Sequence, residues 1–397
     1  MVSEPGCDGV FRYVEGLCHF LAGEGVQLHL AYSDVRASDA LPHLVAFIER
    51  QGGATLNLRT SNRPSASDVA AFWRLHRLAR AIRPDVIHSH SSKGGALARG
   101  LAFAGIRAVQ VYQPHAYVGM RPEPGRIDFA YNAVERWLGR GAHTLTCSSG
   151  ERNFALEALR LPPERLHQVR HGIDLLKFRP PSREEKAQLR AAFGLPLDAP
   201  VLGFLGRSSP QKDPLTLYRA FARAAAGEPR LWMLHIGSGE LDPEIARLAA
   251  EYGLGRRIVR RAYLAAPADF YRAVDGFILP SRYEGLSLAA LEALASDLPM
   301  ILSDVAGNAD MLSLPLSHAW TVRAGDPEGV AQGIEAWLDG WRHPSHINHR
   351  EIAESHFNIP RQLGAILGLY RSWVAAGGRA SRLAHHHPRA MGGHGAG

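Results

Sequence analysis

The sequence has 397 residues, enough for two domains of ordinary size, and its composition, 46% hydrophobic and 21% charged, is that of a soluble globular protein. Three scattered cysteines argue against a disulfide framework and fit a reducing cytoplasm. The sequence contains no apolar run near the roughly 20 residues of a membrane span and no signal-peptide pattern. The net charge of +7 favours an anionic substrate, an anionic membrane surface or nucleic acid; nucleic acid is the least favoured, because no basic cluster is interleaved with aromatic residues.

The N-terminus lacks the long strand that normally precedes a glycine loop. In a dinucleotide-type half-domain a hydrophobic strand comes before such a loop, whereas here only Met1 to Pro5 come before Gly6-Cys7-Asp8-Gly9. The first strand is therefore predicted to be missing or truncated to a stub. Either the natural start lies upstream, or the chain is shortened and has lost a central strand, which would lower its stability.

Helical and extended patterns alternate along the first half of the chain. Apolar periodicity predicts helices over 10–21, 41–48, 66–82 and 127–138, and a further helix that starts at Ser148. Short apolar runs predict strands over 26–32, 54–58, 85–88, 109–113, 143–147 and 166–169. This order favours a parallel sheet covered by helices on both faces.

The third of these helices has a basic side. Arg74, Arg77, Arg80 and Arg83 recur at helical spacing beside Trp73. A solvated face explains them slightly better, and the alternative is a surface that rests on anionic lipid headgroups.

The next strand and turn contain polar residues with two interpretations. His88 and His90 are two positions apart, but a metal site is rejected because no carboxylate or thiolate lies nearby in the sequence. The Ser-Ser-Lys-Gly-Gly run that follows is predicted to begin a helix, where Lys93 could meet an anionic acceptor.

A stiff connection and a second α/β unit complete the chain. Pro180 and Pro181 stiffen the connection, and Ser182 with Glu185 forms a capping box for the helix that follows. The tail, 377–397, is predicted to be disordered, and its adjacent histidines, His385, His386 and His387, are weak evidence for a metal site. Between this connection and the tail, strands alternating with helices are predicted. The strands lie near Val201, Leu231, Ile258, Gly276, Met300 and Trp320, and a last helix is predicted over 359–376.

The stretch 279–294, LPSRYEGLSLAALEAL, is predicted to contain the end of a strand, a turn and a helix. The turn places Glu284 at the C-terminal end of a strand, where ligands bind in open parallel sheets. Backbone N–H groups from Gly285 to Ser287 lie at the helix start and suit a phosphate, and Glu292 follows within the helix. Taken singly, each glutamate is explained better as an exposed surface residue.

Three other loops add functional groups at strand ends. One strand ends at Gly206 and is followed by two cations, Arg207 and Lys212, which can clamp a pyrophosphate. Gly237 begins a Gly-Ser-Gly turn, which lets a backbone approach a ligand closely. His115 follows another strand and, considered alone, is a loop residue.

Together these features resemble the family 4 retaining glycosyltransferases of the GT-B fold. The resemblance rests on Glu284 and Glu292 with seven residues between them, Gly206-Arg207 with Lys212, the Gly-Ser-Gly turn and the His115 loop. Each motif alone is weak, whereas their order, spacing and placement at strand ends are jointly specific. They extend over nearly the whole chain, to about Ala376.

The resemblance implies two Rossmann-like doubly wound domains facing across a cleft. Residues 1–180 would bind the acceptor and 181–358 the nucleotide-sugar, and the helix over 359–376 would cross back to the first domain. The implied reaction transfers a sugar from a UDP- or GDP-sugar to an acceptor hydroxyl, with retention, in exopolysaccharide, lipopolysaccharide or other glycan assembly. No metal or other cofactor is expected, because fixed cations and amide dipoles can stabilise the charge on the β-phosphate.

The resemblance also assigns roles to individual residues. Two positions depart from the family pattern, since Asp8 replaces a glycine and His171 an asparagine, while Ser148 to Glu151 matches a Ser-x-x-Glu helix start. Catalytic roles fall on Glu284, Arg207, Lys212 and His115; donor binding on Glu292, Gly206, Gly237, Gly285, Leu286 and Ser287; and the acceptor side of the cleft on Gly9, Arg12, His90 and Lys93.

Two alternative functions stay open. The same fold could act as a nucleotide-sugar epimerase or hydrolase, which needs no acceptor sugar, or as a catalytically silent module that binds a nucleotide-sugar or lipid-linked glycan. The expected partners are a nucleotide-sugar, a glycan or lipid-linked acceptor and an anionic membrane surface, without nucleic acid. The expected location is cytoplasmic and peripheral at the inner face of the membrane.

Overall fold

The computed structural model describes residues 1–6, 8–61, 64–121, 123 and 125–377. The chain divides into two compact units. One contains Met1–Tyr112, Gly141–His143 and the residues from Leu363 onward, and the other contains Gln113–Arg140 and Thr144–Gln362. The predicted tail beyond Gly377, with His385, His386 and His387, lies outside the described residues.

Seven strands form one sheet: β1 (Val2–Ser3), β2 (Leu30–Tyr32), β3 (Thr55–Asn57), β4 (Val86–His90), β5 (Val109–Gln113), β6 (His143–Thr146) and β7 (Leu166–Gln168). Their order is β3-β2-β1-β4-β5-β6-β7. The strand predicted to be missing or truncated is β1, which has two residues and lies between β2 and β4. Val2 pairs in parallel with Ala31, and Ser3 with His90.

Six helices accompany these strands: α1 (Asp8–Gly23), α2 (Leu41–Arg50), α3 (Ser67–Ile82), α4 (Ser91–Phe103), α5 (Arg126–Gly139) and α6 (Ser149–Glu157). The strand predicted over 85–88 continues to His90, so that α4 begins directly at its end. Leu75, Ile87 and Leu101 pack with Val2 in a buried cluster, which anchors the short β1 between its neighbours. No helix among the described residues is long and apolar enough to cross a membrane.

The second sheet contains six strands, each of which corresponds to a predicted one: β8 (Val201–Leu205), β9 (Trp232–Ile236), β10 (Ile258–Arg261), β11 (Gly276–Leu279), β12 (Met300–Ser303) and β13 (Ala319–Val322). Their order is β10-β9-β8-β11-β12-β13, with parallel pairing. The strand order reverses between β8 and β11, and ligands of doubly wound sheets bind outside the carboxyl ends of strands at such a point. The prediction of two doubly wound α/β sheets is confirmed.

Nine further helices occur in the described second half: α7 (Arg183–Phe193), α8 (Pro214–Gly227), α9 (Asp242–Glu251), α10 (Pro267–Ala273), α11 (Leu288–Ala295), α12 (Ala306–Leu312), α13 (Pro327–Arg342), α14 (His349–His356) and α15 (Ile359–Ala376). The predicted capping box of Ser182 and Glu185 begins α7, and Gly194 ends it in the left-handed conformation. Helix α14 was not predicted; it is short and polar, and tertiary bonds hold it, such as those from Arg350 to the carbonyl oxygens of Phe178 and Leu175 at 2.6 and 2.8 Å.

Candidate active site

The loops after β8 and β11 meet at the point where the strand order reverses. Lys212 Nζ lies 2.6 Å from Glu284 Oε1, and Ser281 Oγ donates a hydrogen bond to the same oxygen at 2.6 Å. Glu284 is 5% exposed, so that its carboxylate is removed from water but paired with a cation. The structure therefore brings together two of the predicted catalytic residues, which are 72 positions apart in the sequence.

Further bonds fix these two loops to each other. The Arg282 backbone N–H donates to the Gln211 carbonyl at 2.8 Å, and Gln211 Nε2 donates to the Tyr283 carbonyl at 3.2 Å. Arg282 Nε lies 2.9 Å from Asp213 Oδ2, and Asp213 in turn caps α8. The positions of Lys212 and Glu284 are thus set by backbone and side-chain bonds on both sides.

A pocket of about 330 Å³ opens beside Glu284. It combines two cations with two carboxylates, which suits a ligand that carries both anionic groups and hydroxyls. Arg282 and Arg323 were not predicted; the available signal is that each follows closely on a strand end at the edge of the sheet where Glu284 lies. The lining residues are Met120, Arg282, Tyr283, Glu284, Asp304, Val305, Ala306, Arg323 and Ala324.

The predicted anion-binding turn lies at the start of α11. Ser287 Oγ accepts a hydrogen bond from the Ala290 N–H at 3.3 Å and caps the helix. A Cβ atom at Gly285 would lie 2.8 Å from both Ala116 N and Glu151 Oε1, so that a larger residue would displace its neighbours. Leu286 and Ser287 are also buried, at 5% and 3% exposure, as is Gly285.

His115 lies in a sharp bend after β5. Both His115 and Ala116 have positive φ angles, 55° and 83°, which non-glycine residues adopt only when their surroundings hold them there. Glu151 provides that hold, because its Oε1 accepts a hydrogen bond from the Ala116 N–H and its Oε2 one from the Cys147 N–H at 2.8 Å. Burial raises the pKa of the Glu151 carboxyl, and the two N–H bonds oppose that shift. Glu151 is thus a positioning residue for the His115 bend.

Helix α12 contributes two residues that were not predicted. A Cβ atom at Gly307 would overlap the Glu284 carbonyl, so this glycine lets α12 approach the loop after β11. Asp310 Oδ2 accepts hydrogen bonds from the Ser149 N–H at 2.9 Å and from Gln168 Nε2 at 2.8 Å. No sequence signal marks these residues, because α12 is short and its partners are distant along the chain.

Glu292 is placed deeper than the other predicted donor-binding residues. It is 1% exposed on α11, and its Oε2 accepts a hydrogen bond from the Tyr271 hydroxyl at 2.7 Å. It does not line the pocket beside Glu284. A contact with a ribose stays a prediction.

The glycine turn packs on the loop that contains the predicted cation. Gly237 has a φ of 140°, and a Cβ atom there would overlap the Gly206 carbonyl. The backbone that approaches Gly237 is therefore that of the loop after β8. This close approach explains on structural grounds why a glycine occupies position 237. Arg207 follows in the same loop and is exposed.

The predicted acceptor-side residues belong to the other unit. Gly9 and Arg12 lie in α1, which follows β1, and His90 is the buried last residue of the adjacent β4. These three residues thus lie near the carboxyl ends of two neighbouring strands. Lys93 instead forms an ion pair with Asp68, with Nζ 2.6 Å from Oδ2.

The lowered pKa of His171 predicts how the stability of the fold changes in acid. Its ring centroid lies 5.3 Å from that of His115, and burial lowers its pKa from 6.5 to about 4, against a backbone hydrogen bond with Leu286 that raises it. Between these values the unfolded chain binds a proton that the folded chain does not, so stability present above pH 6.5 is lost as the pH falls towards about 4. We expect His171→Gln to reduce the slope of unfolding free energy against pH in this window by about 1.4 kcal/mol per pH unit.

Urea denaturation at a series of pH values measures these slopes. Above pH 7 the wild-type and His171→Gln slopes should coincide, because neither state of His171 then takes up a proton. Equal slopes throughout the acid range would show that His171 titrates alike in the folded and unfolded chain.

Two protein-family models match this chain, one in each half. A model described as Glycosyltransferase Family 4 matches residues 7–176, and one described as Glycosyl transferases group 1 matches residues 199–340. D-inositol 3-phosphate glycosyltransferase 1 of Catenulispora acidiphila is 30% identical over 407 residues, covering 95% of this chain and 94% of that protein. The UDP-Gal:alpha-D-GlcNAc-diphosphoundecaprenol alpha-1,3-galactosyltransferase of Escherichia coli is 28% identical over 247 residues, covering 61% and 63%.

Two solved structures share the fold. Sucrose-phosphate synthase from Thermosynechococcus elongatus has a TM-score of 0.76 at 22% identity, with 95% of this chain and 96% of that chain covered. HepE of Anabaena in complex with UDP-glucose has a TM-score of 0.77 at 18% identity, with 94% and 100% covered. At these identities the likeness concerns the fold alone.

Proposed function

Because the chain belongs to glycosyltransferase family 4, we propose that it transfers a sugar from a UDP- or GDP-sugar to an acceptor hydroxyl, with retention of anomeric configuration and without a metal ion. The part-buried Lys212–Glu284 pair, at the reversal of strand order, is the observation that carries this proposal. It sets a cation and a hydroxyl-binding carboxylate beside a helix start. That combination suits the diphosphate and the sugar of one donor.

In this proposal Glu284 accepts hydrogen bonds from hydroxyls of the donor sugar. An ammonium group has three N–H donors, so Lys212 can bond the β-phosphate while it retains its bond to Glu284. Arg207, exposed in the same loop, adds a second cation, and the N–H groups from Gly285 to Ser287 add dipoles. Glu292 binds the ribose while retaining its bond to Tyr271, since a carboxylate accepts several hydrogen bonds.

The reaction breaks the bond between the anomeric carbon and a β-phosphate oxygen. The acceptor oxygen forms its bond to that carbon on the face from which the nucleotide departs, and its proton passes to the departing phosphate oxygen. Negative charge grows on the phosphate as the bond breaks, so preorganised cations and amides lower the barrier without a metal. His115, held in its bend against Gly285, borders the sugar.

We propose a glycan or lipid-linked acceptor and a peripheral location at the cytoplasmic face of a membrane. The name of the Escherichia coli relative describes an acceptor linked to diphosphoundecaprenol, which motivates the lipid-linked class. Gly9 and Arg12 would contact the acceptor, and Lys93 would do so on exchanging Asp68 for an anionic group. His90, at 0% exposure, would contact it only if the surrounding residues moved.

Thermal-shift measurements with UDP, GDP, ADP and CMP, in EDTA and without added metal, test the donor part of the proposal. The matching nucleotide, at about 100 times its dissociation constant, adds about 2.7 kcal/mol to the stability of the folded state. A shift with UDP or GDP that survives EDTA is expected. A shift that requires a divalent cation would contradict metal independence, and no shift with any nucleotide would contradict the donor class.

Donor turnover with and without extracted lipid-linked acceptor tests the transfer. Consumption that depends on the acceptor is expected, with an NMR spectrum showing the donor's anomeric configuration in the product. Equal consumption without acceptor would indicate a hydrolase or epimerase, and binding without consumption a silent module.

A further inference from the structure

Helix α5 has an inverted distribution of apolar and charged side chains. Ile127, Phe129, Val134 and Trp137 are 61%, 65%, 47% and 58% exposed, and we call these four residues the α5 face. A helix on a globular protein normally turns its apolar stripe to the core and its charges to water. The α5 face is apolar and exposed to water, which indicates that it contacts another molecule or surface.

The acidic residues of the same helix are turned inward. Asp128 is 1% exposed and accepts a hydrogen bond from the Gly125 N–H at 2.8 Å, and Glu135 is 5% exposed. These are the two acidic residues of α5, a helix described over its whole length. The outward side therefore carries no carboxylate from α5 itself.

The charged residues that α5 does expose are basic. Arg126 is its first residue, Arg140 caps its last turn, and Arg136 is exposed between them while donating to the carbonyl oxygens of Leu159 and Ala158 at 3.2 and 3.0 Å. A helix with aromatic and aliphatic side chains on one surface, accompanied by arginines and no exposed carboxylate, complements an anionic lipid surface.

Helix α5 belongs to the same compact unit as the candidate active site. A Cβ atom at Gly119 would overlap the Asn132 side chain, which shows how closely α5 packs on the segment before it. The next residue of that segment, Met120, lines the pocket that contains Glu284. The segment between β5 and α5 therefore connects the helix that carries the α5 face with the pocket.

We infer that the α5 face seats this protein on an anionic bilayer, with Phe129 and Trp137 entering the headgroup region. The sequence analysis gave the arginines of α3 as the alternative lipid-binding surface, slightly behind a solvated face. Helix α3 exposes fewer large apolar side chains, Val69 and Trp73, and its Arg74 donates to the Leu58 carbonyl at 2.6 Å. The inference rests on the proposed function only for the lipid-linked acceptor, since binding to vesicles needs no catalysis.

Flotation with vesicles of phosphatidylcholine, with or without phosphatidylglycerol, tests this surface at low salt. The full-length wild type should float with the anionic vesicles and be released as salt rises. The pair Phe129→Ser and Trp137→Ser should lower the partition coefficient at least about tenfold. The matched pair on α3, Val69→Ser and Trp73→Ser, should leave it unchanged.

A charge variant separates the electrostatic part. Arg126→Gln with Arg140→Gln should lower binding about fivefold for each charge removed and flatten its salt dependence. Because all these positions are exposed, the thermal midpoint should stay at the wild-type value.

Three results would overturn the inference. The first is that the wild type does not bind anionic vesicles. The second is that the two α3 substitutions abolish binding and the two α5 substitutions do not. The third is that light scattering shows a wild-type dimer, which the two α5 substitutions convert to a monomer. The last would identify a second copy of the chain as the occupant. If vesicle binding failed while acceptor-dependent turnover were intact, the proposed sugar transfer would stand and the peripheral location would fall. Vesicle binding without acceptor-dependent turnover would leave the α5 face standing and overturn the sugar transfer.

Discussion

Replacing Lys212 with alanine is expected to lower kcat for sugar transfer about 10²- to 10³-fold, the loss typical of removing one preorganised charge from a transition state. Lys212 Nζ lies 2.6 Å from Glu284 Oε1, and both side chains are largely buried, at 17% and 6% exposure. The substitution removes the cation proposed for the β-phosphate and leaves the Glu284 carboxylate without its ion pair. Both effects act where charge develops, so kcat should fall more than KM rises.

Steady-state kinetics with the identified donor and acceptor measure this loss. Lys177→Ala is the matched control, because Lys177 is exposed and lies outside the pocket. The double variant of Lys212→Ala with Glu284→Gln should be far from additive, since the two residues are in direct contact. A Lys212→Ala enzyme with unchanged kcat and an unchanged thermal midpoint would refute the catalytic role.

The strand ends that form the site could be predicted because their signals are local. A buried apolar run that ends before Glu284, and a serine before Leu288, locate β11, its loop and the cap of α11 without any tertiary knowledge. The approach of Lys212 to Glu284 then follows from topology. Loops after two strands that flank a reversal of strand order come together.

The residues that support the site could not be predicted because their bonds are non-local. Asp310 bonds Ser149 and Gln168, which are 161 and 142 positions away, and its own helix has seven residues and little periodicity. Glu151 was recognised only as part of a helix start, although its two oxygens hold the bend at Ala116 and the Cys147 backbone. The role of such a carboxylate can be recognised only once the positions of the N–H groups that donate to it are known.

Helix α5 shows a different limit of sequence analysis. Periodicity predicted a helix over 127–138, within one residue of each observed end. Periodicity alone does not state which side faces the core, and the usual assumption that the apolar side does so is wrong for this helix. The exposure of Trp137 and the burial of Glu135 had to be observed.

Replacing Asp275 with alanine is expected to lower the free energy of unfolding by about 3–5 kcal/mol, as is typical when a buried ion pair loses one partner. Arg190 is 4% exposed in its side chain, and its Nη2 lies 2.5 Å from Asp275 Oδ2. The same oxygen accepts the Val201 N–H at 2.8 Å, and Lys186 Nζ bonds Oδ1 at 2.6 Å. Lys186 can turn to water, whereas the Arg190 guanidinium would stay buried with its charge uncompensated.

The midpoint of urea denaturation measures this change, with two controls that divide it into parts. Asp275→Asn keeps an oxygen for the Val201 N–H but removes the charge, so its loss should be intermediate. Arg223→Ala breaks the exposed pair with Glu328, whose side chains are 60% and 49% exposed, and should lower stability by less than about 1 kcal/mol. If Asp275→Ala were no more destabilising than Arg223→Ala, the buried pair would not hold α7 on the second sheet. The carbonyl oxygens of Ala273 and Leu197, which also accept hydrogen bonds from Arg190, would then suffice to compensate its charge.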